Sequence, residues 1–360
     1  ARLRRKIEEA AMSIFHGWSY EEITTPTLDY YSLFEHGMGR AEAHRAFRFT
    51  DTDGRMLALR PDVTSAVARA AATLFNERER PLRLCYAATV FRQQPHSRAE
   101  WRRESTQIGC ELIGANTIVA DLEVLAIVSE FLERLELGGN FVITLSDLGI
   151  FNGVAESLAL DATSREQMRL LIDIRNGTDL EHFLASYSQP KDAHDFAQLM
   201  QLSGKREMLT WARRVIPNEQ SHAALDRLDA LWNVIESLDL TEHFEIDLGD
   251  VSRLDYYTGL IFKTYVNGAG TRVGSGGRYD GLTESFGRAE PAVGFVVELD
   301  ALADVLRSSP RYANLRLESQ AAVSQITENE PAVLLSKALE KRAQGEHVLL
   351  NLNEVKQCRN

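Results

Sequence analysis

Residues 254–280 read LDYYTGLIFKTYVNGAGTRVGSGGRYD, and the pattern of this stretch indicates an antiparallel β-hairpin. Leu260–Val266 is apolar and typical of a buried strand, and Asn267-Gly268 directly after it is a strong signal for a hairpin turn. We therefore expect Arg272–Val273 to lie in the returning strand. The glycines do not form the dinucleotide-binding pattern G-x-G-x-x-G, because Val273 stands at the third glycine and a hairpin precedes them.

Segments on both sides of this hairpin predict further strands and helices, which are grouped in blocks. The predicted strands are Phe47–Thr50, Met56–Leu59, Leu82–Phe91, Gln107–Ile113, Phe141–Leu145, Glu245–Leu248 and Ala292–Leu299. Apolar residues at helical spacing predict helices over Arg2–Phe15, Asp62–Phe75, Asp121–Leu135 and Asp300–Leu306. This arrangement favours an α+β fold, with an antiparallel sheet flanked by helices, over a doubly wound α/β fold.

The order of these elements predicts a sheet domain that is interrupted by helices. Residues 1–151 would form its first part and residues 241–306 its second part. Residues 152–240 are predicted to be a helical insertion, because their pattern is helical and strands resume after them. Residues 307–360 are predicted to be a short C-terminal α/β remnant, which is smaller than a typical domain of roughly 100 residues.

The composition limits the classes of function. A formal net charge of −12 repels phosphate backbones, so we expect no nucleic-acid partner. Three cysteines stand far apart and match no zinc spacing, so they predict reduced thiols, no metal site and a cytoplasmic location. No apolar run approaches the roughly 20 residues that a membrane span needs, so we expect neither a membrane contact nor a signal peptide.

Five short segments carry tyrosine, arginine and acidic residues in a fixed order. They are Leu59-Arg-Pro-Asp-Val-Thr64, Phe91-Arg92, Gln107-Ile-Gly-Cys-Glu111, Leu254-Asp-Tyr-Tyr-Thr-Gly259 and Gly276-Gly-Arg-Tyr-Asp280. Together they resemble the signatures of histidyl-tRNA synthetase, a class II aminoacyl-tRNA synthetase. Tyr20–Pro26 with Phe34 resembles the first motif of that class, which builds its dimer interface, and Ala292-Val-Gly-Phe295 resembles the third. The resemblance implies a class II synthetase-like fold.

The resemblance also implies a binding site for histidine. The residues that it assigns to this site are Asp62, Thr64, Arg92, Gln107, Glu111, Tyr256, Tyr257 and Tyr279. Asp62, Thr64 and Gln107 would hold the amino-acid backbone, while Glu111 would contact the imidazole or the ammonium group. These residue types suit the ligand, because an ammonium group requires acceptors and an imidazole requires partners at both nitrogens. Asp62 stands where the synthetases usually have glutamate, so its reach is one methylene shorter.

Each of these residues also has a purely structural interpretation. Asp62, near a helix start, would stabilise the helix dipole. Gln107 and Glu111 alternate with apolar residues, so a solvated strand face would show the same pattern. Tyr256 and Tyr257 would point to opposite faces of a strand, which would place one of them in the core. Ordinary packing beside a glycine turn would equally explain the tyrosine at position 279.

Residues that the synthetases use to form an adenylate are replaced. Ser252 stands at the position of their arginine before Gly-Leu-Asp-Tyr-Tyr, and Arg253 should face the opposite side. Gln94 replaces the glutamate of the second motif. Ala301 replaces the arginine of the third, where Glu298 adds negative charge. Since losing one charge-stabilising donor costs roughly 10²–10³ in rate, we predict no catalytic residues and no cofactor.

A chain with this resemblance and these replacements is similar to the regulatory subunits of ATP phosphoribosyltransferase. That similarity implies homodimers within a hetero-octamer that contains the short-form catalytic subunit, and L-histidine as the effector. It implies that the chain activates the catalytic subunit and makes it sensitive to histidine at the first step of histidine biosynthesis. Two alternatives stay open. One is a divergent histidyl-tRNA synthetase or tRNA-independent adenylate-forming enzyme, with Arg253 or Arg278 as a relocated arginine; the other is a translation-control factor.

Overall fold

The computed structural model describes residues 1–93, 102–137, 139–251, 254, 256–308, 323–326, 331–344 and 347–350. The chain divides into two units, Ala1–Ala303 and Asp304–Asn360. The first unit contains an eight-stranded sheet and a three-stranded sheet, and the second contains a pair of strands.

The main sheet of the first unit is largely antiparallel. The strands of this unit are β1 (Glu21–Glu22), β2 (Leu28–Tyr30), β3 (Arg48–Thr50), β4 (Met56–Leu59), β5 (Leu82–Phe91), β6 (Glu104–Ile113), β7 (Phe141–Asp147), β8 (Phe244–Ile246), β9 (Leu260–Val266), β10 (Gly274–Arg278) and β11 (Ala292–Glu298). Eight of them pair in the order β1-β5-β6-β11-β10-β9-β7-β8, and β2-β4-β3 form the smaller sheet. Only the outer strands β1 and β8 run parallel to their neighbours within this sheet. The predicted α+β fold with an antiparallel sheet is confirmed.

The described residues up to 308 contain twelve α-helices, six of which occupy the interval between β7 and β8. They are α1 (Arg2–Gly17), α2 (Tyr31–Met38), α3 (Arg40–Ala43), α4 (Thr64–Ala72), α5 (Ile118–Arg134), α6 (Leu148–Ser157), α7 (Ala162–Asp173), α8 (Gly177–Leu184), α9 (Pro190–Leu199), α10 (Glu207–Val215), α11 (Glu219–Ser237) and α12 (Leu299–Ser308). Neighbouring helices from α7 to α11 contact one another, and α11 packs along α6. The predicted helical character of this interval is therefore present in the structure.

Several predicted bounds differ from the structure by a few residues, and two of these differences change the position of a residue or strand. The helix expected from Asp62 begins only at Thr64, so Asp62 lies in the loop before it and is free of the helical backbone geometry. The returning strand of the hairpin is Gly274–Arg278 and not Arg272–Val273, which makes that prediction wrong. Its sequence, GSGGR, has none of the β-branched or aromatic residues that mark a strand. The neighbouring strands on both sides hold it in the sheet by their hydrogen bonds.

The register of the main sheet divides its side chains between two faces, since residues directly opposite each other point to the same side. One face carries polar groups, because Gln107 lies opposite Glu298, and Lys263 lies opposite Ser275. The other face is apolar and packs under α1 and α5. There the Phe15 ring meets the Phe295 ring edge-on, with 6.0 Å between centroids.

Two cysteines face each other on the apolar side of the sheet. Cys85 on β5 lies directly opposite Cys110 on β6, and both are free thiols with no exposed surface. Burial raises the pKa of the Cys85 thiol to about 12 and that of Cys110 well above its ordinary value.

The second unit contains strands β12 (Val323–Ile326) and β13 (His347–Leu350), which pair in parallel, and helix α13 (Pro331–Ala343) between them. This is a strand–helix–strand arrangement, as parallel neighbours require a crossover connection. Across the described parts of both units, no helix has the length and apolar character of a membrane span.

Candidate functional site

A cavity of about 320 Å³ lies over the polar face of the main sheet, wholly within the first unit. Strands β6, β9, β10 and β11 contribute its floor, and the segments before α4 and β9 contribute its walls. All eight residues that the sequence assigned to one site line this cavity: Asp62, Thr64, Arg92, Gln107, Glu111, Tyr256, Tyr257 and Tyr279.

Glu111 is the most constrained acidic group of the cavity, and only 1% of it is exposed. Its Oε1 accepts hydrogen bonds from the hydroxyls of Thr64 at 2.8 Å and Tyr86 at 3.0 Å. Its Oε2 accepts a hydrogen bond from the Tyr279 hydroxyl at 2.5 Å. A carboxylate has about four acceptor positions, so these neutral donors leave room for a further N–H from a ligand.

Gly294 on β11 makes room for this carboxylate. It lies directly opposite Glu111, and a Cβ at this position would overlap the Glu111 carboxylate. The same Cβ would stand 2.6 Å from the Cys110 carbonyl oxygen. A residue without a side chain is therefore required where the acidic group of the cavity crosses the neighbouring strand.

Two further acceptors of the cavity have no partner within the described chain. They are Oδ1 of Asp62 and Oε1 of Gln107, both in side chains that are almost fully buried. The other Asp62 oxygen accepts a hydrogen bond from Ser65 at 3.3 Å. Because buried polar atoms are generally paired, these two atoms indicate a bound group that donates hydrogen bonds.

The Gln107 amide is held from its other end by Glu298. Gln107 Nε2 donates to Glu298 Oε1 at 2.8 Å, and Arg92 Nη1 donates to the same oxygen at 3.3 Å. Arg92 also donates from Nε to the Pro61 carbonyl oxygen at 3.0 Å. The amide nitrogen thus binds Glu298, and the amide oxygen of Gln107 is buried without a partner within the described chain.

The two adjacent tyrosines both line the cavity, and the prediction that they lie on a strand is wrong, although Tyr256 does pack against the core. Residues 256 and 257 precede β9 and lie outside any strand, which removes the alternation between faces. The Tyr256 ring lies 4.8 Å from that of Tyr257 and 5.8 Å from that of Tyr279, measured between centroids. The three rings thus form one aromatic wall.

Burial raises the pKa of both acidic groups. Asp62 shifts from 3.8 to about 6, and Glu111 from 4.5 to about 7, mainly because the surroundings exclude water. The hydroxyls around Glu111 and the Arg92 charge near Asp62 act in the opposite direction. Both groups therefore bind a proton more readily in the folded chain than in the unfolded chain.

This difference predicts how stability depends on pH. The contribution of Glu111 to the free energy of unfolding should be fully present below its unfolded pKa of 4.5 and lost as pH rises through about 7. We expect the Glu111→Gln variant to lose less stability over that range than the unchanged chain does, by up to a few kcal/mol. Urea unfolding of both proteins at several pH values would measure this. If the free energy of unfolding changes with pH in the same way for both proteins, the raised pKa of Glu111 is contradicted.

Several functional contacts were not predicted from the sequence. Tyr86 on β5 donates a hydrogen bond to Glu111 on the neighbouring strand β6. The only sequence signal for this contact was the alternation of residues along β5, which a core tyrosine would also show. A buried network beside the cavity was also missed, in which Asp250 accepts hydrogen bonds from Lys263, Thr144 and Arg175. Its members are far apart along the chain, so no local pattern connects them.

Of the two arginines that could replace a catalytic one, only Arg278 lies within the described residues. It projects from the face of β10 opposite to the cavity, where it donates to Asp121 at 2.7 Å and to Asp280 at 3.1 Å. Arg278 therefore does not reach the candidate site. Gln94, Ser252 and Arg253 lie outside the described residues. Among the residues described, no group of three His, Cys, Asp or Glu side chains could hold a metal ion.

Comparisons with known proteins agree with this architecture. A family model described as histidyl-tRNA synthetase matches residues 1–302. The chain is also similar to a crystal structure described as an ATP phosphoribosyltransferase regulatory subunit/histidyl-tRNA synthetase from Bacillus halodurans. The two are 29% identical, with a TM-score of 0.84 over 99% of this chain and 90% of that one. A histidyl-tRNA synthetase from Nostoc sp. is only 20% identical, but its TM-score of 0.77 shows the same fold. The predicted class II synthetase-like fold is confirmed.

Two relatives in sequence carry the name ATP phosphoribosyltransferase regulatory subunit. The protein of Moorella thermoacetica is 34% identical over 348 residues, which cover 96% of this chain and 87% of the relative. The protein of Geobacillus thermodenitrificans is 33% identical over 352 residues, which cover 97% of this chain and 86% of the relative. The chain therefore belongs to the family of ATP phosphoribosyltransferase regulatory subunits, built on the histidyl-tRNA synthetase fold.

Proposed function

We propose that this chain is a non-catalytic regulator that binds L-histidine in the cavity and acts on the short-form catalytic subunit of ATP phosphoribosyltransferase. In this proposal it activates that subunit and makes it sensitive to feedback inhibition by histidine in histidine biosynthesis. The observation that carries the proposal is the pair of unpartnered, buried acceptors, Asp62 Oδ1 and Gln107 Oε1, beside the carboxylate of Glu111.

The ligand fits these groups by its chemistry. The ammonium group of an amino acid carries three N–H donors, which suit the free oxygens of Asp62 and Gln107. An imidazole N–H suits the remaining acceptor position on Glu111, and its flat ring suits the wall formed by Tyr256, Tyr257 and Tyr279. The cavity would thus recognise both ends of histidine.

The same cavity is poorly suited to nucleotide chemistry. Glu298 places a carboxylate beside Arg92 and Gln107, where it would repel a phosphate group. Two arginines that the synthetases use, one for the charge on the α-phosphate and one that packs on ATP, are replaced in the sequence at positions 252 and 301. These features favour binding of the amino acid without its activation.

Regulation requires that histidine favour one state of a complex over another through a difference in affinity. The family name implies a partnership with the catalytic subunit, and we propose homodimers of this chain within a hetero-octamer. The first class motif, Tyr20–Pro26 with Phe34, would then contribute to contacts between copies of the chain.

Adding the chain to the short-form catalytic subunit from the same organism tests this proposal. We expect formation of phosphoribosyl-ATP to accelerate at least several-fold when the complex forms, and histidine at saturating concentration to suppress that gain. The reaction should be followed with and without histidine, and complex formation should be measured separately by light scattering. The same assay with the catalytic subunit alone gives the baseline.

One rival function has specific support, because the family model that matches residues 1–302 is that of histidyl-tRNA synthetase. It predicts histidine-dependent exchange between ATP and pyrophosphate, which a regulator without catalytic cations should not perform. Exchange above background, together with no complex and no change in the phosphoribosyl-ATP rate, would overturn the regulatory proposal.

A further inference from the structure

The acceptors described above account for the ammonium and imidazole groups of an amino acid, while its carboxylate requires one of the cations of the cavity, which are Arg45, Arg92, Arg272 and Lys263. A carboxylate in a cavity requires a cation or strong hydrogen-bond donors, since an unpaired buried charge is costly. Lys263 on β9 lines the cavity and lies on the same face of the sheet as Gln107 and Glu111.

The ammonium group of Lys263 is held in place by a buried acidic residue. Its Nζ donates to Asp250 Oδ1 at 2.8 Å, and the Asp250 side chain is only 1% exposed. Thr144 and Arg175 also donate to the Asp250 carboxylate, so the acceptor itself is fixed. Lysine carries a flexible four-carbon stem, and this anchor restricts where its charge can lie.

Lys263 retains donors for a ligand. An ammonium group has three N–H donors, and within the described chain its Nζ makes one hydrogen bond, the one to Asp250. The side chain is 16% exposed, so it is largely shielded from water and still reaches the cavity. Ser275, directly opposite on β10, places a hydroxyl at the same part of the cavity.

The sheet spacing agrees with a ligand that bridges the two ends of the cavity. Strand β9, which carries Lys263, lies three strands from β6, which carries Glu111. At about 4.8 Å per strand, their backbones are roughly 14 Å apart across the sheet, and Lys263 is offset by two further residues along it. Lys263 and Glu111 therefore lie toward opposite ends of the cavity floor.

We propose that Lys263, positioned by Asp250, binds the α-carboxylate of the amino acid and so selects for an intact amino acid over its analogues without a carboxylate. This inference rests on the proposed binding of histidine and adds the residue that binds the carboxylate of the ligand. The competing interpretation is that Lys263 only neutralises Asp250 and does not contact the ligand.

Histidinol distinguishes these interpretations, because it keeps the amine and the imidazole of histidine and replaces the carboxylate with an alcohol. Binding of L-histidine and L-histidinol to the unchanged chain and to the Lys263→Gln variant should be measured by isothermal titration calorimetry. We expect the unchanged chain to prefer histidine by roughly 10-fold or more, as expected for a hydrogen bond to a charged group.

In the Lys263→Gln variant, that preference should fall to about two-fold or less through weaker histidine binding, while histidinol binding stays within about two-fold. Lys263→Arg, which keeps the charge, should retain part of the preference. The matched control is Lys191→Gln, which changes an exposed lysine in α9 and should leave the preference intact.

The outcomes separate the inference from the function on which it rests. A Lys263→Gln variant that still prefers histidine would overturn the role of Lys263 and leave the histidine site standing. Equal binding of both ligands by the unchanged chain would overturn carboxylate recognition without any variant, so a variant that does not fold would not block the test. Binding of neither ligand by the unchanged chain would overturn the proposed function itself.

Discussion

The Glu111→Gln variant should bind L-histidine roughly 10- to 100-fold more weakly than the unchanged chain. The substitution keeps the shape of the side chain but removes its charge and turns one acceptor into an N–H donor. That donor would replace either Oε1, which accepts hydrogen bonds from Thr64 and Tyr86, or Oε2, which accepts one from Tyr279. Isothermal titration calorimetry measures the affinity directly.

The matched control for this variant is Glu9→Gln, which changes an exposed glutamate on α1 and should leave the affinity unchanged. In the complex with the catalytic subunit, the Glu111 variant should lose its response to histidine while still activating the enzyme. Tyr257→Phe should weaken that response in the same direction. If both variants remain fully sensitive to histidine, the assignment of the cavity is wrong.

The Gly294→Ala substitution should damage both the site and the fold. The added methyl group would overlap the Glu111 carboxylate and press against the Cys110 carbonyl oxygen, and both residues are buried. Overpacking of this kind costs about 1–3 kcal/mol of unfolding free energy. We expect a lower urea midpoint and a loss of histidine binding at least as large as that of the Glu111→Gln variant.

Gly281→Ala is the control for this experiment, because a Cβ at position 281 meets no atom within 4 Å. It should leave both the urea midpoint and the histidine affinity close to those of the unchanged chain. A Gly294→Ala protein with normal stability and normal affinity would show that the strands around Glu111 shift more easily than their packing indicates.

The fold was largely predictable because its long strands carry strong local signals. The apolar segments Leu82–Phe91 and Leu260–Val266 match β5 and β9 in both bounds. Strand β10 was not predictable in the same way, since GSGGR has no β propensity and its position is imposed by β9 and β11. A strand whose position depends on its pairing partners cannot be predicted from its own residues.

The candidate site was predictable only in part. All eight residues that the family signatures indicated lie around the cavity, together with others that they did not indicate. The signatures did not give the hydrogen bonds between those residues, nor the role of Glu298 in turning the Gln107 amide. Lys263 and Asp250 also escaped notice, because their pairing depends on tertiary folding and not on spacing along the chain.

The opposed thiols of Cys85 and Cys110 can serve as probes of local unfolding at the centre of the main sheet. A thiol reacts with alkylating reagents as the thiolate, and burial makes that form scarce in both side chains at neutral pH. Labelling at these two positions therefore requires β5 and β6 to separate from the helices that cover them. A timed pulse of iodoacetamide, read peptide by peptide in a mass spectrometer, would report how often the centre of the sheet becomes accessible. Histidine added before the pulse should slow that labelling by stabilising the closed form.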